Sequence, residues 1–258
     1  MRSYLFPALI GAALLVGCGS EVDNKPASSV SDAPAAADAE EPAKTAKTDA
    51  TRDKAGKKVT VITDDGAGEQ EVTLKHAGDL PSGAELADVA MDESKLEFVG
   101  AKVTGDHTGG FKTFAGEVAI VGDKVVSTAF SFDLTSLYSD KEKLTKHLKS
   151  PDFFDVGKYA QATFASTEIK EGSDVQGATH TVAGTLDFHG AKKTLTFPAS
   201  IAMGEAKLEG EQVKAVLVKS EFTMKRSDWG VSYPGKPDDL IKDEVLVKLD
   251  MVFPADFE

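Results

Sequence analysis

Apolar and polar side chains alternate over several short stretches of this chain. In "VVSTAFSFDL", Val126, Thr128, Phe130, Phe132 and Leu134 share one parity, and Val125, Ser127, Ala129, Ser131 and Asp133 share the other. A period of two sends successive side chains to opposite faces of a strand, here one dry and one wetter. "HTVAGTLDF" repeats the pattern, with Val182, Leu186 and Phe188 against Thr181, Thr185 and Asp187, and Gly184 among the apolar positions. "DEVLVKLDMVF" sets Val245, Val247, Leu249, Met251 and Phe253 against Lys248 and Asp250. In "KLEFVGAKV" the phase changes near Gly100, which predicts a bulge or sharp bend there.

One stretch has helical spacing instead. In "SDKEKLTKHLKS", Leu144 and Leu148 share a face, Ser139 and Glu142 have capping-box spacing, and Pro151 follows as a stop. Directly after it stand Phe153 and Phe154, an aromatic pair flanked by Asp152 and Asp155. A water-facing loop has no use for such a pair, so the rings are expected to turn inward over the end of the core. From about Asp88 to the end, 88–258, the pattern predicts a mainly β, antiparallel domain with one short inserted helix, built as a closed barrel or a sandwich. Upstream, "VTVI" and "EVTL" flank the turn-rich "DDGAGEQ", predicting a small hairpin inside a β extension over 59–87.

Composition sets the N-terminal part apart. In "MRSYLFPALIGAALLVGCGS", Arg2 precedes an apolar run from Leu5 to Val16. The run is short for a membrane span and reads as an export signal over 1–17. Its ending, "LLVGC", resembles the lipobox of bacterial lipoproteins, which implies cleavage before Cys18 and acylation of that cysteine with palmitate-type chains. Two or more acyl chains give stable membrane attachment. Gly19 resembles the sorting signal of the outer-membrane class, so the resemblance puts the chain at the cell envelope, on the periplasmic face or the surface of the outer membrane in preference to the inner one. Cys18 is the sole cysteine, so disulfide frameworks and Cys-rich zinc sites are excluded. Residues 18–58, rich in Ala, Pro, Ser, Asp and Lys, have too few large apolar side chains to offset ordering entropy and are expected to form a disordered tether. The formal net charge of −13 argues against a nucleic-acid partner, which needs clustered Lys and Arg.

Four segments carry a family resemblance: "LEFVGAKVTGDHTGGFKTFAGEV", "HLKSPDFFDVGKYAQATFAST", "VAGTLDFHGAKKTLTFPASI" and "KRSDWGVSYPG". The domain resembles the YceI family of bacterial periplasmic or secreted proteins. The chain departs from the family where Ala160 and Gln161 stand in place of a common proline. The resemblance implies an antiparallel eight-stranded lipocalin-like barrel around an elongated apolar pocket that takes a polyisoprenoid chain, such as a quinone tail. It implies no covalent cofactor and no catalytic residues.

Within that frame the expected pocket lining is Phe98, Phe130, Phe132, Phe153, Phe154, Phe164, Leu186, Phe188, Phe222, Met224 and Trp229, with Arg226 placed to meet a polar head. For each of these, ordinary core packing is the competing reading. The histidines, His76, His107, His147, His180 and His189, show no HxH or HExxH spacing, and no GxSxG, P-loop or dinucleotide fingerprint occurs. The expected function is therefore a membrane-anchored binder of an isoprenoid lipid or quinone, not an enzyme. The competing readings are a cell-envelope interaction or adhesion module with a filled barrel, and a quinone-handling accessory to a membrane cytochrome. An exposed apolar mouth would also favour pairing into a homodimer.

Overall fold

In the computed structural model, residues 20–33, 57–62, 69–102, 105–233 and 241–257 are described. The export signal, Cys18 and residues 34–56 lie outside the described residues. In chain order the elements are β1 (Ser29–Asp32), β2 (Lys57–Ile62), β3 (Glu69–Leu74), β4 (Glu85–Asp88), β5 (Lys95–Lys102), β6 (Gly105–Phe111), β7 (Phe114–Val121), β8 (Lys124–Asp133) and β9 (Leu137–Ser139). They continue with α1 (Glu142–Lys149), β10 (Gln161–Glu171), β11 (His180–Phe188), β12 (Ala191–Leu208), β13 (Glu211–Lys225) and β14 (Ile241–Pro254).

The fold is mainly β, with an antiparallel sheet curled into a barrel-like wall. Its strands run β4-β7-β8-β10-β11-β12-β13-β14-β5-β6-β9, with β1 beside β12. This sheet holds twelve of the fourteen strands among the described residues, where eight are expected. Three of them, β1, β4 and β9, are edge pieces of three or four residues. β12 serves both halves of the wall: residues 191–199 pair with β11, and residues 200–208 pair with β13.

The alternation predicted for β11 and β14 puts Val182, Leu186 and Phe188, and Val245 through Phe253 at every second position, on the inner face. On β8 the prediction needs a correction. The β7–β8 register shifts so that Ala119 faces Ser127 while Ile120 faces Val125, leaving Val126 as the extra residue of a bulge. Val125, not Val126, therefore joins Thr128, Phe130, Phe132 and Leu134 inside. The irregularity expected near Gly100 is present, with the extra residues on the partner strand: Lys102 pairs with Ile241 and Gly100 with Val245.

α1 begins at Glu142, and the expected capping box does not form, because the N-cap is Lys141 without a side-chain bond. Ser139 instead donates its hydroxyl to the Lys141 carbonyl, and its own N–H is held by Thr145 Oγ1. Leu148 is buried and Leu144 half-buried, both toward the barrel.

The predicted hairpin is formed by β2 and β3, and Val72 and Leu74 pack on Ala115 and Ala129 of the outer wall. A polar cluster pins it. Lys57 Nζ reaches Glu117 Oε2 at 3.1 Å and also Asp88, while His76 holds Glu117 Oε1 at 3.1 Å and Ser127 Oγ at 2.7 Å. Burial alone would raise the Glu117 carboxyl, but the His76 and Lys57 hydrogen bonds and charge outweigh it and hold its pKa below the usual value.

Residues 20–33 do not behave as the expected tether. Val22 packs on Val99, Ala101 and Leu246, outside β5 and β14. The Ser20 hydroxyl and the Glu21 N–H both donate to Asp106, at 3.0 and 2.8 Å. Glu21 pairs with Lys248, Asp23 with Lys242 and Lys25 with Glu221, and β1 then pairs with Lys193–Thr196 of β12. Composition misses this segment because its hold comes mostly from main-chain pairing and charge, with few apolar side chains involved.

Candidate functional site

The inner faces of the strands enclose a cavity of about 410 Å³. That lies within the roughly 300–1,000 Å³ range of small-molecule sites. Along β14 it is lined from Val245 to Phe253, about 27 Å at ~3.4 Å per residue. So modest a volume over such a length is a narrow tube. At one end the lining is apolar but for Thr128, with Val118, Val125, Ile169, Val182, Ile201 and Phe253. At the other, Lys102, His107, His147, Arg226 and Lys242 join Leu144, Phe153 and Phe154. Thr128 apart, the polar lining side chains are confined to this second end, and none of the lining residues is acidic.

Rings in a barrel this small would be expected to fill it. Three of them are kept against the wall by glycines. A Cβ added at Gly109 would lie 2.5 Å from Phe98 Cζ, at Gly116 2.3 Å from Phe130 Cε1, and at Gly184 2.4 Å from Phe164 Cζ. Contacts that close do not occur, so each ring lies over a strand position where only glycine leaves room. Phe98 and Gly109 are direct cross-strand partners, as are Phe130 and Gly116. Rings folded down onto glycine leave the middle of the tube open.

The helix end is plugged by stacked rings. Phe153 and Tyr233 lie parallel at 5.4 Å, and His147 meets them edge-on at 5.2 and 5.0 Å. Phe154 leans on Phe188 at 5.6 Å. The turn after α1 aims both phenylalanines: the Phe153 N–H donates to the Ser150 carbonyl and the Phe154 N–H to the Leu148 carbonyl. His107 and His147 face Asp140 and Asp152 respectively, which keeps each imidazole oriented at the rim.

Of the eleven residues expected along the pocket, Phe98, Phe130, Phe132, Phe153, Phe154, Phe164, Leu186, Phe188, Phe222 and Met224 line it. Trp229 does not. It is buried in one cluster with the lining residues Leu186, Phe197 and Phe222, 6.5 Å from Phe188, and its indole N–H donates to the Leu186 carbonyl at 3.4 Å. Arg226 reaches the rim, with its guanidinium donating to the carbonyls of Val231, Ile241 and Lys242. Its evident work is to tie the chain entering β14 to the turn after β13. Sequence reasoning missed Phe197 and Phe253, which are buried and line the cavity. Phe253 sits in the alternating run of β14, so the periodic signal for it was already present. Among the described residues there is no group of three or more metal-ligating side chains.

Comparison with known proteins places this architecture. Residues 88–253 match the YceI-like domain. A UPF0312 protein of Pseudomonas putida is 35% identical over 130 residues, covering 49% of this chain and 65% of that protein. A UPF0312 protein of Pseudomonas savastanoi pv. phaseolicola is 30% identical over 161 residues, covering 59% and 80%. The alignments to the first curated relatives thus span just under two thirds of those proteins' length. The crystal structure of Burkholderia cenocepacia BcnA superposes with a TM-score of 0.55 at 26% identity, covering 64% of this chain and 98% of BcnA. The match over residues 88–253 takes in the curled sheet from the end of β4 to Phe253 of β14, and this chain belongs to the YceI family.

Proposed function

We propose that this protein binds one isoprenoid chain, free or as the tail of a quinone, inside the tube. The tail lies toward the apolar end and the head at the helix end. The observation that carries this reading is the one-sided lining: a long apolar tube whose basic and imidazole groups gather at a single end. Each buried CH₂ contributes about 0.8 kcal/mol before ordering costs, so a prenyl chain gains affinity from length alone. Lys102, His107, His147 and Lys242 are the groups that meet the head. Arg226 orders the rim beside them. A binder of this kind needs no catalytic group.

The same reading includes membrane attachment through acylated Cys18, at the cell envelope. What supports a functional link is the placement of Ser20, whose hydroxyl is bonded to Asp106, next to the rim residue His107. Two residue steps cover about 7 Å at most. An acyl anchor on Cys18 would sit beside the tube's polar end, not at the far side of a long leash.

Native mass spectrometry of the full chain, purified in detergent, tests the binding. A retained mass that organic solvent extracts as an isoprenoid supports it. Apo protein alone, after incubation with a long-chain isoprenoid quinone, counts against it. Fractionating cells that carry Cys18→Ala tests the anchor: release from the membrane fraction is expected, and unchanged membrane association contradicts it.

A further inference from the structure

The wall of the tube has one seam. β12 follows β13 only up to the Ser200–Lys219 pair; beyond it, toward the helix end, residues 191–199 stay with β11 while residues 220–225 stay with β14. The gap is filled by the N-terminal segment. β1 pairs antiparallel with Lys193–Thr196 of β12, and Ala27 bridges in parallel to Thr223 of β13. On the β13 side the backbone hold is concentrated on a single residue: the Ser28 N–H donates to the Thr223 carbonyl and the Thr223 N–H to the Pro26 carbonyl, each at 2.8 Å. The Ser28 hydroxyl donates to that same carbonyl at 2.9 Å. Directly behind the segment are Leu195 and Phe197 on one side and Phe222 and Met224 on the other, all lining the tube. The inserted strand presents one apolar side chain inward, Val30, against this group, while Ser29, Ser31 and Asp32 are exposed.

We propose that this seam is a side door for the prenyl chain, with residues 26–32 as its removable cover. The inference rests on the isoprenoid-binding reading above and adds the route. A strand hydrogen-bonded on both edges completes the wall when in place. Its small, polar side chains leave little apolar surface to expose when it lifts. Beneath it Phe197 and Phe222 are stacked at 4.6 Å, and a flexible chain without a bulky head at its leading end threads sideways once these two rings part. The helix end is closed by three rings, the Phe153–Tyr233–His147 stack, where the seam has two to part. The cover opens along β13, where Thr223 is the chief anchor, and stays paired to β12.

The test locks that edge. Thr223 alternates with Phe222 and Met224 and so faces outward, toward exposed Ala27. An Ala27→Cys/Thr223→Cys pair, in the full chain carrying Cys18→Ser, can be oxidised and reduced at will. Isoprenoid quinone is supplied from phosphatidylcholine vesicles, and loading is followed by quenching of Trp229, the only tryptophan. The expected result is loading at least about tenfold slower in the oxidised than in the reduced form, with the same final quench. Val30→Ser, which loosens the cover without a crosslink, is expected to load faster than the wild type. Equal rates in oxidised and reduced protein, or a slower V30S, would overturn the side door. No quenching in any form, including the wild type, would instead overturn the binding reading, and the door with it.

Discussion

Replacing Gly116 with alanine tests how the tube is kept open. The new Cβ would stand 2.3 Å from Phe130 Cε1 and 2.6 Å from Cδ1, against an ordinary limit near 3.4 Å. The ring must therefore move by about 1 Å, and the nearest atoms met are all on that side chain. The same change at Gly109 or Gly184 would also strike backbone oxygens at 2.5 Å, so Gly116 is the cleanest of the three. The wall blocks outward movement, so Phe130 swings into the lumen. Overpacking of this kind costs about 1–3 kcal/mol of stability, which a folded domain tolerates. In the tube it excludes roughly two or three methylene groups of ligand. At about 0.8 kcal/mol each, that is about 1.6–2.4 kcal/mol, or roughly 15- to 60-fold in Kd. Titration of Trp229 fluorescence with a long-chain isoprenoid quinone, beside a thermal melt, reads both effects. Gly116→Ala/Phe130→Leu should regain most of the affinity, because the smaller side chain clears the lumen. A folded G116A that binds like the wild type would refute the reasoning.

Other consequences follow from single contacts. Phe153→Ala removes a buried ring from the plug and should cost about 3–5 kcal/mol in denaturant unfolding, whereas Phe154→Ala, whose ring is only half-buried, should lower ligand retention more than stability. Arg226→Ala strands three carbonyl acceptors at the rim and should destabilise by more than about 2 kcal/mol, measured by the same unfolding. The β2–β3 hairpin should loosen in acid. Because Glu117's pKa is lowered in the folded state, its stabilising contribution is present above the ordinary carboxylate pKa and is lost as pH falls through the lowered folded value. Amide exchange over residues 57–74 should therefore accelerate in that range in the wild type. In Glu117→Gln it should be fast already at neutral pH, and slow exchange in that variant would contradict the clamp.

Much of the wall is legible in the sequence, and the reasons for the exceptions are specific. Val245 through Phe253 alternate without interruption, so period two alone gives the inner face of β14. On β8 the single extra residue at Val126 shifts the face of Val125, and a one-residue bulge leaves no mark in side-chain chemistry. The Phe–Gly pairs that clear the tube depend on cross-strand register, which links residues such as Phe130 and Gly116 only after the hairpin has formed. Trp229 is apolar enough for either role, and its indole N–H decides between them by finding the Leu186 carbonyl. The N-terminal strand was the least legible. "KPASSVSD" offers one branched apolar side chain, and its order comes from strand edges that β12 and β13 leave open.

The central claim is that an isoprenoid chain occupies the tube with its head at the helix end. A crystal structure of the protein loaded with a long-chain isoprenoid quinone tests it most directly. The account predicts continuous density along Val245–Phe253, between the rings held down by Gly109, Gly116 and Gly184, with the head group among His107, His147 and Lys242. A lumen refilled by Phe98, Phe130 and Phe164, with the quinone elsewhere, would contradict it.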